Sequence, residues 1–258
     1  MLTDILIPLS NGSKYNNIEL KYCLRSIEKH LSGVRNVFIV GELPGFVNPY
    51  EVTHIPLQDS ANIWEISNNI YRKIMAGIKY ENHLSFTHEG SGTKNFNLKL
   101  SENFLFFNDD HFLLTDYEAA NFPYYHRGPI NLDMMRISPP QLKQYQNSID
   151  TFGAEYDFGI HCPILYNKYK FRTLFANKVF WPEHGYEIKS VYGNDMVDNT
   201  NWMPIEDLKF TEPVVMKESI YMALEGRPWF SIGDSVLRNG TMQEVLKELY
   251  PNKSKYEL

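Results

Sequence analysis

Residues 4–40, DILIPLSNGSKYNNIELKYCLRSIEKHLSGVRNVFIV, contain two apolar segments separated by a segment with helical periodicity. The apolar run 4–9 predicts a strand, which the turn-forming residues 10–13 bring to an end. Apolar side chains then recur at helical spacing over 20–31, and 34–40 reads as a second strand. Because a strand, a helix and a strand in this order usually form a parallel crossover unit, we predict a single α/β domain. Its sheet should be mixed but mostly parallel, with flanking helices.

A second segment, FLFFNDDHFLL at residues 104–114, places Asp109 and Asp110 next to each other behind Asn108. The four apolar residues before them are too few for a helix and suit a buried central strand. Two neighbouring carboxylates flanked by core repel each other and lose hydration unless a cation lies between them. Mg²⁺ and Mn²⁺ favour a few carboxylates together with substrate phosphates. The motif therefore predicts a metal–phosphate site, with an exposed acidic turn as the alternative.

Within this motif we expect Asp110 to bind the metal and Asp109 to share it or to bind a ribose. Asn108 would orient either carboxylate by hydrogen bonding. His111 follows directly, and strand alternation predicts that its side chain points away from Asp110. The carboxyl end of a strand in an open α/β sheet is where ligands bind. The turn at 10–13 should open at the same edge, so Ser10, Asn11 and Gly12 are candidates for binding a nucleotide or sugar.

The remaining candidates are spread over the second half of the chain. His161 could act as a metal ligand or as a general acid or base. Asp195, in a predicted polar loop, and Asp234, after an apolar strand, are candidate bases. Arg127 could bind phosphate in a bidentate manner. Taken singly, each of these side chains could equally be an ordinary structural or surface residue.

The composition limits the classes of protein to which the chain could belong. It has 258 residues, of which 43% are hydrophobic and 14% aromatic, enough for a substantial core. The net charge of −6 argues against a dedicated nucleic-acid coat protein, which would carry a basic surface. Two cysteines, Cys23 and Cys162, are too few for a disulfide framework. The first residues read as a strand and a turn rather than a secretory leader, and no run approaches the ~18 apolar residues of a membrane span, so we expect a cytoplasmic protein.

Several blocks of the chain resemble the Stealth family of capsular-polysaccharide sugar-phosphate transferases. The blocks are NIELKYCLRSIEKH at 17–30, VRNVFIV at 34–40, FLFFNDDHF at 104–112, HCP at 161–163 and WFSIGD at 229–234. Their order is the same as in the family. The resemblance implies a GT-A-like, Rossmann-type nucleotide-sugar fold, a nucleoside-diphosphate-sugar donor and a divalent metal. It also makes Arg25, in the matched helix, a cofactor-binding candidate, although pairing with Glu28 would give it a structural role.

Two departures from the family pattern affect the expected function. The first strand lacks the family's Trp and Val while keeping Asn11 and Gly12, and Gly233 stands where the family has Asn. We therefore expect a metal-dependent transferase that uses a nucleotide sugar and acts on a glycan hydroxyl, moving either the sugar or the sugar 1-phosphate. Residues 1–115 would bind the donor and 116–258 the acceptor. The alternatives are a transferase that modifies a nucleic-acid base, which the acidic charge disfavours, a nucleotide-sugar-binding module without turnover and, third, a metal-dependent nuclease or phosphatase.

Overall fold

The structure is a computed structural model that describes residues 2–10, 13–60, 66–88, 92–176 and 182–258, with the backbone alone at 66, 82–88 and 92–97. The strands are β1 (Thr3–Leu9), β2 (Leu31–Ser32), β3 (Val34–Gly41), β4 (Val52–Ile55), β5 (Glu81–His88), β6 (Gly92–Lys99), β7 (Asn103–Phe106), β8 (His111–Leu113), β9 (Tyr117–Glu118), β10 (Tyr124–His126), β11 (Ile164–Asn167), β12 (Trp202–Pro204), β13 (Lys209–Phe210) and β14 (Trp229–Ile232). The helices are α1 (Ile18–His30), α2 (Ile66–Lys79), α3 (Pro139–Phe152), α4 (Lys168–Ala176), α5 (Ile188–Met196), α6 (Lys217–Leu224) and α7 (Thr241–Leu249).

The central sheet has five strands in the order β11-β7-β1-β3-β4. β7, β1, β3 and β4 run parallel to one another, whereas β11 pairs antiparallel with β7. Both faces of the sheet are covered, because Ile5 and Ile7 pack with α1 and α7 while Leu6 packs with α2, α4 and α5. All three side chains are fully buried, as expected for a strand in the middle of a parallel sheet. The predicted mixed, mostly parallel α/β fold with flanking helices is confirmed.

The strand that follows β7 in the chain, β8, belongs to a second, smaller sheet. It has the order β13-β14-β8, and β8 pairs antiparallel with β14 so that Ser231 lies opposite His111. Because the two strands run in opposite directions, the start of β8 and the end of β14 lie at the same end of this sheet. Residues 108–110 and the segment after β14 are thereby brought together.

The prediction that Asp195 lies in a polar loop is wrong, since helix α5 extends to Met196. Glu187 accepts a hydrogen bond from the Ser190 amide and so caps the start of the helix. Val191 and Tyr192 pack in the core on the side of the sheet covered by α2. Burial of this apolar face outweighs the polar composition that predicted a loop. Elsewhere, β5 and β6 pair antiparallel with each other. None of the helices in the described ranges has the length and apolar character needed to cross a membrane.

Candidate active site at the carboxyl edge of the sheet

The site lies where the strand order changes direction along the sheet. From β1 the chain passes through α1 to β3 on one side, and it later returns through α2 to place β7 on the other side. α1 and α2 cover opposite faces of the sheet. In doubly wound sheets a crevice opens at such a point, outside the carboxyl ends of the two central strands. Ser10 follows β1 and is exposed, and Asn108 follows β7. The candidates Asn11 and Gly12 lie outside the described residues.

Four carboxyl groups surround this crevice: Asp109, Asp110, Glu19 and Asp234. Burial, together with the negative charges of Asp110, Glu19 and Asp234, raises the pKa of Asp109 to about 7. Burial likewise raises the pKa of Glu19, to which Asp234 and Asp110 also contribute. Asp109 and Glu19 are therefore each within electrostatic range of Asp110 and Asp234. We call this set the acidic cluster.

Three separate elements supply the acidic cluster. Asp109 and Asp110 lie in the turn between β7 and β8, and Asp234 follows β14. Glu19 belongs to the first turn of α1 and is only 6% exposed. α1 also contacts the turn directly, since the Cys23 thiol donates to the Asn108 carbonyl at 3.6 Å. The sequence analysis did not identify Glu19. The signal available was that Glu19 is the only acidic residue in the first turn of α1, the helix formed by the block at 17–30.

Asp110 has one oxygen in use and one without a partner. Its Oδ2 accepts a hydrogen bond from Lys209 Nζ at 3.0 Å. Its Oδ1 is buried and finds no hydrogen-bond partner among the residues that the structure describes. Across the described ranges, no three His, Cys, Asp or Glu side chains are arranged to hold a metal by themselves. The residues fit a cation held by one or two carboxylates and completed by phosphate oxygens, which is how Mg²⁺ is usually bound.

His111 faces the acidic cluster, and the prediction that it points away is wrong. Its ring is fully buried, and Nε2 lies 3.7 Å from Asp110 Oδ1. Its Nδ1 accepts a hydrogen bond from the Asn108 amide at 3.3 Å. Strand alternation fails here because a turn separates His111 from β7, so His111 begins a new strand. Burial, and after it the positive charge of Lys189, lowers the pKa of His111 well below its ordinary value, which keeps the ring neutral.

His161 forms a pair with Asp207, a residue that the sequence analysis did not identify. His161 Nδ1 lies 2.8 Å from Asp207 Oδ2, and the His161 amide donates to the same oxygen at 3.2 Å. Burial would raise the pKa of Asp207, but the hydrogen bond and charge of His161, assisted by Arg127, lower it to about 2. Because the ionised carboxylate accepts the proton on Nδ1, the neutral ring presents Nε2 as a proton acceptor.

Arg127, predicted to bind phosphate, already has two carboxylate partners. Its guanidinium lies 2.8 Å from Asp157 Oδ2 and 3.0 Å from Asp207 Oδ2. The side chain is 41% exposed, so one face remains accessible. Arg127 therefore positions Asp207, and through it His161, whatever further contact it makes.

Two of the predicted site residues serve other purposes or lie elsewhere. Arg25 is a structural residue, because its guanidinium makes two 2.8 Å hydrogen bonds to the carboxylate of Glu257 and a third to the Tyr250 carbonyl. Asp195 is exposed in the last turn of α5, about 9 Å along the helix axis from Lys189. The structure thus brings Asp234 to the acidic cluster and leaves Asp195 outside it.

A cavity of about 740 Å³ adjoins the acidic cluster. Asn108 and His161 line it, as do Arg127 and Lys189. Its walls come from α2, α3, β11 and α5 and include four large aromatic side chains, Phe106, Tyr145, Tyr166 and Tyr186. Gly159 also lines it, and a Cβ there would lie 2.1 Å from the Tyr145 hydroxyl. The cavity therefore combines a few polar groups with aromatic walls, as small-molecule sites do.

Two solved structures of the glycosyltransferase LgtC are similar to this chain. An active-site mutant of LgtC shares 12% sequence identity with a TM-score of 0.45, covering 96% of this chain and 95% of that chain. The galactosyltransferase LgtC in complex with donor and acceptor sugar analogs shares 13% identity with a TM-score of 0.44, again covering 96% and 95% of the two chains. No family model matches the sequence, and no curated protein matches it. Similarity of this degree assigns neither a family nor an activity to this chain.

Proposed function

We propose that this protein is a metal-dependent transferase that uses a nucleotide-sugar donor and acts on a hydroxyl group of a glycan. The observation that carries the proposal is the acidic cluster at the point where the strand order reverses, where one buried Asp110 oxygen has no hydrogen-bond partner among the described residues. A diphosphate bound there would face the carboxyl ends of β1 and β7. The donor side of the site is therefore the crevice between Ser10 and Asn108.

Asp110 and Asp109 would hold Mg²⁺ or Mn²⁺ together with the diphosphate. When bound, the metal would supply the positive charge that stabilises the leaving nucleotide. Lys209, hydrogen-bonded to Asp110 Oδ2, adds a fixed positive charge beside the same group. Asn108, whose side chain borders both the turn and the cavity, would orient the sugar that is transferred.

His161 is the proposed base that accepts the proton of the attacking hydroxyl. It lines the cavity, and Asp207 holds its Nδ1–H so that Nε2 is free to accept. Asp234 is exposed and lies near Asp109, so it would complete the acidic cluster rather than contact the acceptor. The hydroxyl would attack either the anomeric carbon, which transfers the sugar alone, or the β-phosphorus, which transfers sugar 1-phosphate as in the Stealth family.

The first test is donor turnover with Mn²⁺ and a panel of nucleotide sugars, analysed for the released nucleotide. Asp110→Ala should reduce release by about 100-fold or more, because several kcal/mol of charge stabilisation would be lost. Asp133→Ala, at an exposed carboxylate far along the chain from the motif, is the matched control and should keep full activity. A released nucleoside diphosphate indicates transfer of the sugar, and a monophosphate indicates transfer of sugar 1-phosphate.

The two outcomes that contradict the proposal differ from each other. Donor binding without any release in the presence of glycans would indicate a binding module, as Gly233 in place of Asn would favour. Equal release by the wild type and Asp110→Ala would show that the acidic cluster is not the reaction centre.

A further inference from the structure

The cavity beside the acidic cluster contains a buried hydroxyl group with nothing to bond. Tyr166 is fully buried in β11, and its Oη has no hydrogen-bond partner among the described residues. The ring itself is firmly packed, with its centroid 4.6 Å from that of Tyr192 and 5.7 Å from that of Phe104. Folded proteins pair nearly all buried polar groups, since an unpaired one lowers stability. A buried hydroxyl kept without a partner at the wall of a cavity points to a ligand that supplies the partner.

The surroundings of Tyr166 indicate the chemistry of that ligand. The rings of Phe106 and Tyr186 lie in the wall, largely buried by the protein itself, and Pro139 and Pro140 add apolar surface. The carboxyl group of Glu187 also lines the cavity and, after burial, is the next cause that raises the pKa of Tyr166, so the two groups lie close together. Sugar rings have apolar faces that pack on aromatic rings and hydroxyl groups at their edges that hydrogen-bond to polar side chains. The cavity volume of about 740 Å³ is within the range of sites that enclose a small molecule.

The position of the cavity separates it from the donor side. Its lining comes from α2, α3, β11 and α5, on the β7–β11 side of the sheet, whereas the donor crevice opens between β1 and β7. Asn108 borders both, and His161 faces the cavity. A hydroxyl group of a molecule in the cavity would therefore lie beside the proposed base.

We propose that this cavity is the acceptor site and encloses a mono- or disaccharide, or the terminal rings of a longer glycan, with a sugar hydroxyl bonded to Tyr166 Oη. The acceptor role of the cavity rests on the proposed function, whereas sugar binding in the cavity can be tested without turnover.

The test compares Tyr166→Phe with Tyr192→Phe in the full-length protein. Tyr192 does not line the cavity, and its hydroxyl accepts a hydrogen bond from the Asn167 amide at 2.8 Å. Binding of methyl glucoside, methyl galactoside, methyl N-acetylglucosaminide, lactose and maltose is measured by saturation-transfer NMR and titration calorimetry, and Tm by calorimetry. Tyr166→Phe should weaken binding of the sugars that bind by about 3- to 10-fold without lowering Tm. Tyr192→Phe should lower Tm and leave the sugar Kd unchanged.

A third variant, Ile137→Trp, fills the cavity from its wall and should abolish sugar binding if the assignment is correct. The inference is overturned if none of these sugars binds, if Tyr166→Phe binds them as tightly as the wild type, or if Tyr166→Phe lowers Tm as much as Tyr192→Phe. The last result would mean that the protein itself already satisfies the hydroxyl. Sugar binding weakened by Tyr166→Phe, in a protein that releases no nucleotide from any donor, would uphold the cavity and refute only the transferase. Nucleotide release by a protein that binds none of these sugars would uphold the transferase and refute the sugar-binding cavity.

Discussion

Replacement of Asp207 by Asn should destabilise the protein by an amount that depends on pH. The carboxylate is 7% exposed and accepts hydrogen bonds from His161 and Arg127. Its pKa falls from 3.8 to about 2 on folding, and one pKa unit corresponds to about 1.4 kcal/mol, so ionised Asp207 contributes about 2.4 kcal/mol. Because the folded state holds the lower pKa, this contribution is complete above about pH 4 and is lost as the pH falls through about 2.

Urea unfolding of the wild type and Asp207→Asn at pH 7, 4 and 3 measures this contribution. We expect a difference of about 2–3 kcal/mol at pH 7 that shrinks steadily as the pH approaches 3. Asp116→Asn is the matched control, because Asp116 also lies 2.8 Å from a histidine nitrogen, that of His30, but is 89% exposed and should matter little. A difference that stays constant from pH 7 to pH 3 would refute the argument that the Asp207 charge stabilises the fold.

Three further predictions test residues that the structure has moved into or out of the site. Arg25→Met should cost about 2 kcal/mol in urea unfolding, since it removes the closest cation from the buried Glu257 carboxylate and leaves only Lys21, at 3.8 Å, and the Ser254 donors, while the calorimetric Kd for the donor stays the same; a weaker donor Kd in a folded variant would restore Arg25 to the binding site. Gly41→Ala should lower the unfolding free energy by at least about 2 kcal/mol, because φ is +128° and the added Cβ would lie 1.9 Å from the Leu9 carbonyl oxygen; an unchanged Tm would contradict this. Asp195→Asn should retain the wild-type rate of nucleotide release, and a large loss would make Asp195 a candidate base again.

Local patterns were sufficient to predict the parallel core of the fold. β1 and β3 are readable because each contains a continuous apolar run, as a strand buried on both faces requires, and α1 is readable because its apolar side chains recur every 3.6 residues. The motif at Asp109 and Asp110 is readable because two neighbouring carboxylates between apolar runs repel each other and lose hydration unless a cation lies nearby. The terminal helix α7 is readable in the same way as α1, because its buried residues Met242, Val245 and Leu246 follow helical spacing.

The partners of these residues could not be predicted, because distant segments supply them. Lys209 reaches Asp110 across 99 residues, and Asp207 meets His161 across 46. Both lie in a short segment without clear periodicity, and only the pairing of β13 with β14 places them. The antiparallel strand β11 begins only at Ile164, because residues 157–163 make irregular contacts around Asp157 and Lys189.

The bond between Arg25 and Glu257 also has a consequence for folding kinetics. It joins residues 232 positions apart, and the nearby Leu258 amide donates to the Phe46 carbonyl. Contacts of such long sequence separation form slowly, since most of the chain must be ordered before they close. α1, which carries Glu19, is held on one side by this late contact. Hydrogen exchange in residues 250–258 should therefore report on how often the first turn of α1, and the acidic cluster with it, loosens in the native state.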